Sequence, residues 1–103
     1  MILYQINKNK NIDKITVKGH ALFGDYGTDI VCASVSTAII MTVNAIEVLG
    51  YQTCVKTKLK AGNFEIKVLE SNSVVEGLLT NLEYTLNELT TQYETYIKNQ
   101  KEG

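Results

Sequence analysis

In TDIVCASVSTAIIMTVNAIEVLG, residues 28–50, apolar side chains recur at Ile30, Val31, Val35, Ile39, Ile40, Val43, Ile46 and Leu49, a helical pattern that stops at Gly50. Thr28 or Asp29 is suited to cap its start, and Gly50 supplies the left-handed residue with which helices commonly end. The apolar residues cover nearly the whole circumference, so the helix requires cover on more than one side: either two packed layers around it or a subunit interface. The segment approaches bilayer length, but Ser34, Ser36, Thr37, Thr42 and Asn44 interrupt it. It therefore reads as a buried helix, with no membrane partner.

The sequence on either side supplies the cover. Residues 2–6 and 14–18 are short and rich in isoleucine, valine, tyrosine and threonine, and they read as a β-hairpin across the polar run Lys-Asn-Lys-Asn at 8–11. In the second strand Ile15 and Val17 share one face and Thr16 and Lys18 the other, with His20 emerging at its end. Residues 53–59 and 64–69 form a second hairpin through Lys-Ala-Gly-Asn, with Phe64, Ile66 and Val68 alternating against Glu65 and Lys67. From Ser73 to Lys98, Val75, Leu79, Leu82, Leu86, Leu89, Tyr93 and Tyr96 follow spacings of four and three. This predicts one amphipathic helix, with Ser73 as N-cap and Glu76 in a capping box, packed on a sheet rather than in a coiled coil. The order ββαββα defines a two-layer α+β fold, an antiparallel sheet packed with two helices, in a single domain over residues 1–103.

Composition narrows the function. The formal charge is −1 and all ten basic residues are lysine, so the arginine forks that read guanine edges or clamp phosphates are absent, and no direct nucleic-acid contact is expected. The N-terminal residues have neither a basic start nor a small-residue cleavage site, so a cytoplasmic location with reduced thiols is expected. With a single histidine and no Cys-x-x-Cys spacing, Cys32 and Cys54 do not make a metal site.

The chemistry concentrates between His20 and Cys32. Cys32 falls within about one turn of the expected helix start, where an anion gains roughly 0.3–1 kcal/mol from the macrodipole. An imidazolium nearby supplies further thiolate stabilisation, and exposed backbone N–H groups of that turn can hold an oxyanion. Residues Leu22 to Thr28 form a glycine-bracketed loop carrying Phe23, Gly24, Tyr26 and Gly27, long enough to fold His20 over the helix start and to serve as a substrate loop; the other reading is a turn whose aromatics join the core. Asp29, Cys32 and Ser36 share a helical face. Asp29 either orients His20 or caps the helix; Ser36 either meets substrate or thiol, or returns its hydroxyl to a carbonyl one turn earlier. Cys32 itself is either a nucleophile or a small buried hydrophobe.

Gly19-His20-Ala21 followed by Gly27-Thr28-Asp29-Ile30-Val31-Cys32-Ala33-Ser34-Val35-Ser36 resembles the signature of the ribosomal-processing cysteine protease Prp family, and the element order fits that family across essentially the whole chain. The resemblance implies a cytoplasmic, homodimeric cysteine endopeptidase that removes the N-terminal extension of large-subunit ribosomal protein L twenty-seven, cleaving after an aromatic pair and needing no cofactor or metal. It implies His20 as general base, Cys32 as nucleophile, and Asp29 and Ser36 as supporting residues. The alternative is a non-catalytic ribosome-associated protein-binding module in which Cys32 is core. A thiol redox sensor is a third reading, for which Cys54 is not an evident resolving partner.

Overall fold

The structure, a computed structural model, describes residues 1–19, 26–60 and 62–100, with side chains in the first helix described from Ile30 onward. The chain forms β1 (Ile2–Asn9), β2 (Asn11–Lys18), α1 (Tyr26–Val48), a 3-10 turn (Gln52–Cys54), β3 (Val55–Lys60), β4 (Asn63–Val68), α2 (Ser73–Gln92) and β5 (Ile97–Asn99). The α+β class and the two hairpins are as expected, but the sheet is mixed. Its order is β3-β4-β2-β1-β5, and β5 pairs parallel with β1 through Ile2–Ile97, Leu3–Lys98 and Tyr4–Asn99. The long helix expected to reach Lys98 stops at Gln92 instead, and Tyr93 and Tyr96 pack on the core from the turn that follows. Ile2 N–H donates to the Tyr96 carbonyl at 2.8 Å, which draws the chain end beside β1.

Both strands of the first hairpin run further into the Lys-Asn-Lys-Asn segment than expected, because Lys10 alone makes the turn, in a left-handed conformation with φ 68°. Along β2, Ile15 pairs with Ile6 and Ile66, and Val17 with Tyr4 and Phe64, so these side chains share one face of the sheet. The two helices cover that face. From α1 come Val31, Val35, Ile39 and Ile46, and from α2 Val75, Leu79, Leu82 and Leu86, all buried at spacings that trace one stripe on each helix. Tyr4 closes the core beneath α2: its hydroxyl donates to Asn87 Oδ1 at 2.6 Å and lies 3.0 Å from Thr90 Oγ1. Burial raises its phenol pKa above the ordinary value, so the ring enters the core neutral.

The expectation of cover all round α1 is not met within one chain. Ile30, Ile40, Met41 and Val48 remain exposed, leaving an apolar outer surface. The helix ends as expected at Gly50 (φ 88°): Tyr51 N–H bonds the Ile46 carbonyl at 2.9 Å and Gly50 N–H the Glu47 carbonyl at 2.9 Å, a Schellman arrangement.

At the start of α2 the cap is Asn72, not Ser73. Asn72 Oδ1 accepts from Val74 N and Val75 N, both at 3.0 Å, while its amide nitrogen lies 3.6 Å from Cys54 Sγ. Glu76 therefore sits one position beyond a capping box, and its carboxylate accepts from Ile12 N at 2.9 Å, fastening the helix to β2. We predict that Asn72→Ala lowers stability by about 1 kcal/mol, while Ser73→Ala changes it by no more than about 0.5 kcal/mol. Thermal denaturation followed by circular dichroism would separate the two; the reverse order would return the cap to Ser73.

Candidate active site

α1 begins at Tyr26, earlier than Thr28 or Asp29 capping would allow, because nothing in this proline-free stretch blocks helical dihedrals and one glycine near a helix start costs only about 1 kcal/mol. Tyr26 and Gly27, expected in a substrate loop, thus belong to the helix in their backbone. Cys32 lies in the second turn, not the first. Its own N–H is beyond the unpaired amides of the helix start, and the dipole's benefit, confined largely to that first turn, falls below the expected value. His20, Phe23 and Gly24, and the side chains of Tyr26 and Asp29, lie outside the described residues.

Cys32 is half-buried, packed beside the core between the fully buried Val31 and Val35, and neither it nor Cys54 is in a disulfide. Its position answers the two readings of this cysteine: it touches the core but reaches a cleft. That cleft, of about 100 Å³, is lined on the helix side by Cys32, Val35 and Ser36 and on the sheet side by Ile2, Val17, Gly19, Gly62 and Phe64. Cys32 and Ser36 are one helical turn apart and meet there as their spacing predicts. On the same helix the Ser34 and Thr42 hydroxyls return to the backbone, donating to the Ile30 and Ala38 carbonyls, each at 2.8 Å.

The sheet side was not legible from spacing. Gly19, just beyond β2, has φ 108°, and its N–H donates to the Gly62 carbonyl at 3.0 Å, tying the end of the first hairpin to the turn of the second. A Cβ on Gly19 would overlap the Met1 carbonyl oxygen and crowd Ile2 Cα, so only glycine lets the N-terminal backbone pass this close. The residue that follows is His20. Phe64 reaches the cleft because it pairs with Val17 across β4 and β2, a register no local pattern shows. Cys54, by contrast, is buried beneath Asn72 away from the cleft.

A larger groove of about 370 Å³ separates α1 from α2, lined by Ser34, Thr37, Met41, Leu78, Asn81 and Thr85 among others. It has no thiol, carboxylate or amine in its lining, and the Ser34 and Thr42 hydroxyls within it are spent on helix carbonyls. The smaller cleft is therefore the candidate site.

A half-buried thiol in the lining of a cleft, held by a helix packed on a mixed sheet, suits a cysteine hydrolase. A family model described as cysteine protease Prp matches residues 1–98. The ribosomal processing cysteine protease Prp of Staphylococcus aureus is 32% identical over 95 residues, spanning 91% of this chain and 88% of that protein. Its counterpart from Bacillus subtilis is 31% identical over 85 residues, spanning 73% and 76%. Among solved structures, the essential ribosomal processing protease Prp from S. aureus in complex with a substrate peptide superposes with a TM-score of 0.83 at 27% identity, covering 99% of this chain and 100% of that one. The same protease with a covalently linked product peptide gives 0.82 at 28% identity, with the same coverage. The fold and thiol site define a cysteine protease. The chain belongs to the Prp family of ribosomal processing cysteine proteases.

Two outcomes test this geometry. Gly19→Ala is expected to destabilise by at least about 1–2 kcal/mol, from the left-handed backbone alone, whereas Gly77→Ala, in α2 with open space around it, should stabilise by about 0.5–1 kcal/mol. Opposite signs in chemical denaturation would bear this out; a neutral Gly19→Ala would remove the close approach from the account. Iodoacetamide should label Cys32 of the folded protein well before Cys54, read by peptide mass spectrometry, because Cys54 is only 8% exposed.

Proposed function

We propose that this protease removes the N-terminal extension of ribosomal protein L twenty-seven, cleaving after an aromatic pair through a Cys32–His20 dyad, as a homodimer in the cytoplasm. The observation that carries this reading is the cleft itself, where Cys32 and Ser36 on α1 face Gly19, the residue immediately before His20. Acyl transfer requires a nucleophile and a base at one cleft, and Cys32 lines this one as the nucleophile of the proposed pair. Relatives named for ribosomal processing support the substrate class.

In this mechanism His20 takes the proton from Cys32 Sγ, and the thiolate attacks the scissile carbonyl carbon to form a tetrahedral oxyanion. Collapse breaks the C–N bond, and His20 returns the proton to the departing amine. Water, deprotonated by His20, then attacks the thioester, releasing the acid and restoring the thiol. Ser36, on the same wall as Cys32, bonds the peptide or the thiol, and Asp29 orients His20. The exposed Ile30, Ile40, Met41 and Val48 supply an apolar face for the homodimer.

Incubating the protein with an extended L twenty-seven precursor and following cleavage by mass spectrometry tests the proposal. Cys32→Ala and His20→Ala are each expected to lose about 1,000-fold or more in rate, and Ser36→Ala less than either. Cleavage by Cys32→Ala at the parent rate, or none by the parent, would sink it.

A further inference from the structure

The register of the sheet separates charge that composition averages away. On the face turned from the helices, Lys56 pairs with Lys67, and Lys67 with Lys14, placing three ammonium groups on three neighbouring strands. Two residues along each strand the row reads Lys58, Glu65, Thr16; two further on it reads Lys60, Asn63, Lys18, Leu3, Lys98. Seven of the ten lysines thus project from one face, whose rows carry one carboxylate, Glu65; Asp13, exposed beside Lys14 at the irregularity between the core residues Ile12 and Ile15, adds a second on that side. No residue of these rows is buried, and none of the seven lysines forms an ion pair among the described residues. Glu47, Glu76, Glu83 and Glu88 lie on the helices, on the other side of the molecule.

Like charges directly opposite one another destabilise a sheet, and surfaces that need only solubility intersperse the two signs. Lysines on an edge strand also discourage edge-to-edge pairing, which accounts for Lys56, Lys58 and Lys60 on β3. It does not account for Lys67 on β4 or for Lys14 and Lys18 on β2, because both strands are paired on either side.

We propose that this face docks on the phosphodiester backbone of a nucleic acid, with Lys14, Lys56 and Lys67 in one row and Lys18 and Lys60 in another as the phosphate contacts. Neighbouring strands are about 4.8 Å apart and successive residues of one face about 6.8 Å apart, so the ammonium groups form a dense cationic grid on flexible stems. Lysine meets phosphate as a point charge, without reading bases; the face has no arginine and no aromatic ring for base recognition or stacking. An anionic membrane fits less well, because Leu3 is the one apolar residue in these rows and offers little to insert. An acidic protein fits less well too, for want of the Trp, Tyr or Arg anchors that carry such interfaces. The expectation of no nucleic-acid contact rested on net charge and missing arginine, and neither quantity registers segregation. The last row ends beside the cleft: Lys18 precedes Gly19, and Lys60 is two residues before Gly62.

Fluorescence anisotropy of a labelled RNA duplex, and of a DNA duplex of the same sequence, titrated with the intact protein across a KCl series, tests the proposal. Binding to the RNA should weaken linearly on a log–log plot as salt rises. The triple variant Lys14→Gln, Lys56→Gln, Lys67→Gln should bind at least about tenfold more weakly at low salt, with a slope shallower by roughly 2–3. Lys18→Gln with Lys60→Gln should act in the same direction, and this second variant decides the matter should the triple variant fail to fold. Lys8→Gln with Lys10→Asn, which removes charge from the hairpin tip, should stay within about twofold of the parent. Absence of salt-dependent binding to both duplexes, equal losses for tip and face variants, or tighter binding to phosphatidylserine vesicles than to RNA would overturn it.

Discussion

The pairing of β2 with β1 on one side and β4 on the other is the constraint on which the molecule depends. Side chains of a strand alternate between faces, so a slip of one residue would turn Ile15 and Val17 to solvent and drive Lys14, Thr16 and Lys18 against the helices. Burying ammonium groups without partners costs far more than the sheet gains elsewhere. The register is thereby fixed by hydrophobic burial, and it sets the remaining geometry. It brings Val17 opposite Phe64, carries Gly19 to the Gly62 carbonyl and under Met1, and aligns the lysines in rows on the open face.

The parts of this arrangement that were legible in the sequence are those set by local period. Alternation exposed the two hairpins, the spacing of Val75, Leu79, Leu82 and Leu86 exposed the core stripe of α2, and Gly50 marked the end of α1. The failures also have physical sources. β5 is only three residues long and follows Tyr93 and Tyr96, whose spacing continues the helical stripe, so period alone could not end the helix at Gln92. Asn72 and Ser73 are both capable caps. The choice falls to Asn72, whose side chain meets Val74 and Val75 while Glu76 serves β2 rather than its own helix.

The candidate site divides along the same line. Cys32 and Ser36 come together because they are one turn apart on one helix, a relation readable without a structure. Ile2, Val17 and the Gly62–Phe64 segment come from three stretches of the sequence and share the cleft through the pairing of their strands. Gly19 was visible as part of a motif, yet its physical role, a backbone close approach at positive φ, depends on where Met1 passes.

Core packing holds both walls of the cleft, and the sheet wall adds a backbone tie at the end of β2. Cys32 follows Val31, which is fully buried, and precedes Val35, also buried, so core packing fixes the helix face from which its sulfur projects. In the opposing wall Ile2 and Val17 are also core, while its Gly19 end is fixed by backbone: one hydrogen bond from Gly19 to Gly62, and a contact with Met1 that tolerates no side chain. Core packing resists displacement because every shift opens a void, whereas a backbone tie of this kind holds position with little buried area. A substitution in the core should therefore disturb the nucleophile's wall and stability together. A substitution at Gly19 acts first on the end of β2, and on whatever the next residue of the chain must do.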